Sequence, residues 1–206
     1  MHIVKVKICG ITNLQDAKAA VDMGADLLGF NFYPKSPRYL TVEKAIEIID
    51  QIPTFVDTAG IFVNPTIEEI KEITDHGFLN WIQLHGDETP KFCETLKWFH
   101  VKTIKAIRVK SAEDIARIEQ FGADAILLDA FNSKLYGGTG ETFNWDLIGD
   151  INTRRIFLAG GINHENAADA VRLGVYGIDA CSGIESSPGK KDHKKMRQLF
   201  ENIKHV

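Results

Sequence analysis

The sequence predicts a (β/α)8 barrel: eight parallel strands, each followed by a helix or a functional loop. Three observations predict it. First, one unit recurs, in which a helix-period stretch ends at a glycine and a short apolar strand follows. It reads Met23-Gly24-Ala25-Asp26 into Leu27-Leu28-Gly29-Phe30, Phe121-Gly122-Ala123-Asp124 into Ala125-Ile126-Leu127-Leu128-Asp129, and Leu173-Gly174-Val175-Tyr176 into Gly177-Ile178-Asp179-Ala180. Second, these strands are apolar without alternation, the pattern of a parallel sheet buried on both faces. Third, 206 residues suit one domain spanning 1–206, and no linker or shift in composition divides them. The length lies near the short end of the barrel range, about 200 to 400 residues.

Taken in order, the strands fall near 3–9, 26–32, 58–63, 80–85, 103–108, 125–129, 155–160 and 176–182. The first helix spans 13–23 with Asn13 as N-cap, and the second 41–51 with Thr41 as N-cap. Others are expected near 66–76, 88–98, 111–121, 163–173 and 190–204. The sixth unit differs. Phe131 to Thr142 is rich in glycine and polar residues, so 130–142 reads as a functional loop, with a reduced helix from about Asn144. A doubly wound open sheet is the competing architecture. No G-x-G-x-x-G follows the first strand, which argues against its dinucleotide-binding version.

Hydrophobic content of 44% and charged content of 25% are those of a soluble globular chain. The net charge of −4 offers no basic footprint for nucleic acid. Lys190, Lys191, Lys194 and Lys195 read as a solvated helix face. Cys9, Cys93 and Cys181 are far apart, with neither metal-ligand spacing nor an even disulfide count. A reducing cytoplasm is the simplest compartment. No signal-peptide pattern or membrane-length apolar run is present. Trp81, Trp98 and Trp145 read as packing residues.

In such a barrel the active site gathers at the C-terminal strand ends. Those ends carry Cys9, the loop after Phe32, Asn64, His85, Arg108, Asp129, Gly160-Gly161 and Ser182-Gly183. Alternation places Lys5, Lys7 and Cys9 on one face of the first strand. A nearby ammonium favours thiolate, which would make Cys9 a base or nucleophile; a buried, inert cysteine is the ordinary alternative. Asp129 could cap a helix, but a long loop follows it, so a general-acid role fits better. Gly160-Gly161 and Ser182-Gly183 close strands seven and eight, where this fold holds phosphate on backbone N–H groups. Gly137-Gly138-Thr139-Gly140 could close over the ligand. Arg38, in a loop stiffened by Pro34 and Pro37, suits a carboxylate, and His85 could donate a hydrogen bond to a ligand.

These residues, in this order, resemble phosphoribosylanthranilate isomerase, an enzyme family of tryptophan biosynthesis. The resemblance covers nearly the whole chain. It rests on Lys7-Ile8-Cys9-Gly10-Ile11-Thr12, Gly29-Phe30-Asn31-Phe32-Tyr33, Ser36-Pro37-Arg38-Tyr39, Gly60-Ile61-Phe62-Val63-Asn64 and Gln83-Leu84-His85-Gly86. Further along it rests on Leu127-Leu128-Asp129, Gly137-Gly138-Thr139-Gly140 with Phe143-Asn144-Trp145, Leu158-Ala159-Gly160-Gly161-Ile162, Ser182-Gly183-Ile184-Glu185 and Pro188-Gly189-Lys190-Lys191-Asp192. The resemblance implies the barrel, no cofactor and no metal, and a small phosphorylated substrate for a cytoplasmic monomer or homodimer that binds neither nucleic acid nor membrane. It implies an Amadori rearrangement with Cys9 as general base and Asp129 as general acid. Lys7, Arg38 and His85 would bind substrate, Arg38 through its carboxylate, and Gly160, Gly161, Ser182 and Gly183 would bind its phosphate. One departure stands out: the family often has two serines where this chain has Cys181-Ser182. Asp179 matches an acidic family position without an evident role.

Another sugar-phosphate isomerase or epimerase and a non-catalytic phosphate-binding barrel are the competing functions. Epimerase chemistry usually needs two acid/base carboxylates, and this rim offers one carboxylate and one thiol. Indole-glycerol-phosphate synthase shares the fold, but the chain is short for it and the Cys9 motif fits poorly.

Overall fold

The computed structural model describes residues 4–130, 142–149, 151–204 and 206. Eight parallel strands close into a barrel in sequence order: β1 (Lys5–Cys9), β2 (Leu27–Asn31), β3 (Asp57–Phe62), β4 (Trp81–Leu84), β5 (Lys102–Val109), β6 (Ala125–Ala130), β7 (Ile156–Leu158) and β8 (Gly177–Ala180). The circle closes between β1 and β8, where Lys7 lies opposite Asp179 and Ile8 opposite Ala180. Each strand has two faces, and the alternation sorts them. Leu27, Ala59, Trp81, Ala106, Leu127 and Phe157 fill the barrel interior. Ile8, Leu28, Phe30, Ile82, Ile126 and Leu128 point outward and are buried beneath the helices. This double burial explains the continuous apolar strands.

Local signals set the helix starts. Asn13 accepts from the Asp16 amide and opens α1 (Leu14–Met23), which Gly24 ends at φ 107°. Thr41 opens α2 (Val42–Ile49), and Thr66 with Glu69 forms a capping box on α3 (Ile67–Thr74). The helices α4 (Pro90–Thr95), α5 (Ala112–Ala116) and α6 (Ala167–Arg172) are shorter than the sequence suggests. The first two continue as 3-10 turns, Leu96–Phe99 and Ile118–Gln120. A polar residue before β2, β4 and β6 clamps the preceding strand. Asp26 accepts from the Val6 amide, Asn80 from Thr58 and Asp124 from Thr103.

After β6 the reduced helix is the 3-10 turn Trp145–Ile148, capped by Asn144. Gly137-Gly138-Thr139-Gly140 and the rest of 131–141 lie outside the described residues. The C-terminal helix corrects the expectation for 190–204. β9 (Glu185–Ser187) and β10 (Lys190–Lys191) form a small hairpin, and α7 (His193–Ile203) begins only after Asp192 caps it. Lys191 is therefore not on a solvated face; it is 3% exposed and turned into the barrel rim. Trp98 is not a packing residue either, being 84% exposed, whereas Trp81 is buried and donates to Asp57.

No helix among the described residues is long and apolar enough to cross a membrane.

Candidate active site

A cavity of about 280 Å³ opens at the C-terminal ends of the strands. Cys9, Arg38, His85, Asp129, Gly160, Gly161, Ser182 and Gly183 all line it, so the fold gathers eight residues scattered over the sequence. Asn31, Tyr33, Asp179 and Cys181 line it as well. Asn64 and Arg108, at their own strand ends, do not. Asn64 accepts from the Asp87 amide, and Arg108 pairs with Asp87 beside a separate cavity under α5.

Lys7 corrects its assignment as a substrate contact. It is fully buried below Cys9, absent from the cavity wall, and its Nζ lies 2.9 Å from Asp179 Oδ1. Burial alone would lower its pKa, but Asp179 and the Cys9 sulfur outweigh burial and raise it, so Lys7 remains an ammonium. Its work is to hold positive charge under the thiol.

Cys9 does not stand alone with Lys7, as the sequence suggests. The thiols of Cys9 and Cys181 hydrogen bond to one another and titrate as a pair. The Cys9 bond, helped by Lys191 and Arg38, brings Cys181 down to about 7. Sharing that bond, and burial, push Cys9 up, against the pull of Lys7. The pair therefore loses its first proton more easily than an ordinary thiol and its second less easily.

On the opposite wall, Asp129 ends the apolar run of β6 and is 4% exposed. Its Oδ1 accepts from the Ala130 amide at 2.9 Å, and its Oδ2 lies 3.0 Å from His85 Nε2. His85 Nδ1 lies 2.8 Å from Gln83 Nε2. The proton of the His85–Asp129 bond sits on one partner or the other according to the ring tautomer. Both ring nitrogens are engaged in this structure, and His85, which also lines the cavity, orients Asp129.

Arg38 reaches the cavity from the loop after β2, but its guanidinium is not free. Nε and Nη2 form a fork with Glu185 Oε1 and Oε2 at 2.9 and 2.7 Å. Glu185 also takes Lys191 Nζ at 2.9 Å, and that ammonium donates to the Cys9 carbonyl at 2.6 Å. Burial favours the neutral acid at Glu185, yet Arg38 and Lys191 together hold its pKa below the usual carboxylate range. Gly10 makes room for this, because a Cβ there would lie 2.5 Å from Arg38 Cδ. Asp16 of α1 fastens the hairpin from behind by accepting from the Lys191 amide at 2.8 Å. Sequence reasoning gave Glu185 and Lys191 no role. Glu185 carried a signal, a lone carboxylate between Ile184 and Ser186, whereas Lys191 sits in the polar run 190–195 and carried none.

The two glycine turns pack together. Gly160 and Gly161 have φ of 73° and 67°, a left-handed pair open to glycine and strained for other residues. Such turns point successive amides into a concavity that suits an anion. A Cβ on Gly183 would lie 2.2 Å from the Ile162 carbonyl oxygen, so only glycine lets loop eight seat against loop seven.

A sequence model of the family described as N-(5'-phosphoribosyl)anthranilate (PRA) isomerase matches residues 6–202. The chain is 46% identical to the N-(5'-phosphoribosyl)anthranilate isomerase of Pelobacter propionicus over 204 residues, 98% of this chain and 96% of that protein. It is 45% identical to the Pseudomonas fluorescens isomerase, covering 99% and 100% of the two chains. Among solved structures, the Thermotoga maritima isomerase superposes with a TM-score of 0.89 at 39% identity, covering 99% of this chain and 100% of that one. A phosphoribosyl anthranilate isomerase in complex with reduced 1-(o-carboxyphenylamino)-1-deoxyribulose 5-phosphate gives 0.85 at 38% identity, with the same coverage. The chain belongs to the phosphoribosylanthranilate isomerase family.

Proposed function

We propose that Cys9 and Asp129 divide the acid–base work of the isomerisation that converts N-(5-phosphoribosyl)anthranilate to 1-(2-carboxyphenylamino)-1-deoxyribulose 5-phosphate. As a member of its family the chain is an isomerase of tryptophan biosynthesis. One observation carries the division of labour: a thiol pair and a buried carboxyl group line the same cavity, whose end is closed by two glycine turns.

Asp129 gives its proton to the furanose ring oxygen, the ring opens, and a Schiff base forms between C1 and the anthranilate nitrogen. Cys9 removes the proton from ribose C2, and the enolamine tautomerises to the ketone. The thiol pair loses its first proton from Cys181, and transfer along the shared hydrogen bond passes that charge to Cys9, against the burial that pushes Cys9 up; Lys7, Arg38 and Lys191 surround the two sulfurs. His85 keeps Asp129 aimed into the cavity. Gly160, Gly161, Ser182 and Gly183 hold the phosphate, and Arg38, steadied by Glu185, faces the anthranilate carboxylate. One related structure is of monomers generated from the dimeric Thermotoga maritima isomerase; for this chain a monomer or homodimer is the expectation.

The test is a continuous assay of substrate fluorescence with freshly generated phosphoribosylanthranilate and a metal chelator present. Rapid loss of fluorescence supports the reading. No loss with folded protein contradicts it.

A further inference from the structure

Cys9 and Cys181 meet across the seam where the barrel closes. β1 and β8 are parallel neighbours, and their last registered pair is Ile8 opposite Ala180. Cys9 ends β1, and Cys181 directly follows the end of β8. Lys7 and Asp179, two residues earlier, already meet inside the barrel, and Cys9 and Cys181 line the same cavity with their sulfurs within hydrogen-bond reach of each other. Lys191 Nζ donates to both cysteine carbonyls, at 2.6 and 3.3 Å, so one ammonium spans both backbones. Ile8 and Ala180, the residues just before the two cysteines, are registered neighbours, and such pairs have Cα atoms about 5 Å apart, within the roughly 4.4–6.8 Å that a disulfide bridges. Both residues line the open cavity, so a small oxidant reaches them. Cys93 is buried in α4, outside the cavity wall.

We propose that Cys9 and Cys181 form a reversible dithiol–disulfide site that switches the isomerase off under peroxide. The co-reactant is hydrogen peroxide or a small alkyl hydroperoxide. The Cys181 thiolate attacks one peroxide oxygen, the O–O bond breaks, and a sulfenic acid forms with release of hydroxide or alkoxide. The Cys9 sulfur then attacks the Cys181 sulfur. The S–S bond forms, the S–O bond breaks, and the hydroxyl leaves as water with the Cys9 proton. Two thiols are oxidised by two electrons, and the peroxide is reduced to water, or to water and an alcohol. Arg38 and Lys191 flank the Cys181 sulfur and favour its thiolate; Glu185 and Asp179, each paired to a cation, also face the pair. The disulfide removes the lone pair that abstracts the C2 proton, so inactivation rests on Cys9 being the base. Crosslinking does not.

Full-length wild-type protein is treated with hydrogen peroxide, then followed by intact mass, peptide mapping and turnover. The expected result is a loss of about 2 Da and a Cys9–Cys181 linked peptide. Turnover should fall on the order of 10²-fold and return with dithiothreitol. Cys93→Ser should behave as wild type. Cys181→Ala should gain oxygen in place of losing two hydrogens. Oxygen addition without crosslinking in the wild type, or a link that involves Cys93, would overturn the site. A Cys9–Cys181 link with turnover unchanged would overturn the switch and the assignment of Cys9 as base, leaving the crosslink itself established.

Discussion

Arg38 and Glu185, 147 residues apart, form a bidentate pair in the wall of the cavity, Nε to Oε1 at 2.9 Å and Nη2 to Oε2 at 2.7 Å. The pair fixes the plane of the guanidinium, which a flexible arginine at a loop tip would not hold by itself. Removing Glu185 also leaves Lys191 without its carboxylate. Glu185→Gln should raise KM on the order of tenfold with a smaller change in kcat. Glu185→Ala should also cost about 3–5 kcal/mol of stability, because it strands two buried cations. Steady-state kinetics and urea unfolding check both.

The same pair carries an acid limit. Arg38 and Lys191 depress the folded-state pKa of Glu185 below its ordinary 4.5. A depressed carboxylate contributes stability that is complete above the unfolded value and is lost as pH falls through the folded one. Wild-type stability should therefore decline below about pH 4.5, and Glu185→Gln should flatten that part of the curve. Thermal melts between pH 3 and 6, on the order of half-unit steps, would show it.

The thiol pair predicts a pH profile. With the first ionisation near 7, kcat/KM should rise through that region. Cys181→Ala removes the thiol brought down to about 7 together with the hydrogen bond that raises Cys9, so the limb should leave the region near 7. An unmoved limb would show that Cys181 does not share the proton.

Gly183 tests the contact between the two phosphate turns. Gly183→Ala places a methyl group 2.2 Å from the Ile162 carbonyl oxygen, and the loops must part. Overpacking of this kind costs about 1–3 kcal/mol. KM should rise, with affinity for inorganic phosphate falling in parallel, as competitive inhibition would measure.

The barrel was legible in the sequence because double burial leaves a plain mark: runs such as Ile126-Leu127-Leu128 between helices that end in glycine. Cys9, Asp129 and the two glycine turns were legible because strand ends in such a barrel share one rim. Partnerships were not legible. Nothing local links Arg38 to Glu185, or Cys9 to Cys181, since those contacts exist only once β1 meets β8 and the 185–191 hairpin folds over the seam. Lys7 was recognised as important but given the wrong contact, and the pairing of His85 with Asp129 was not foreseen. Alternation fixes which face a side chain takes, whereas depth along the strand decides whether it meets ligand or a neighbour. The lysines at 190–195 looked like one helix face because β10 is only two residues long, too short to show a period.

The most direct measurement is turnover of phosphoribosylanthranilate by Cys9→Ala and Asp129→Asn beside wild type, with kcat and KM separated. Each variant should lose about 10²-fold or more in kcat while KM changes little, the scale of a general acid or base removed. Full turnover by either one would contradict the role given to that residue.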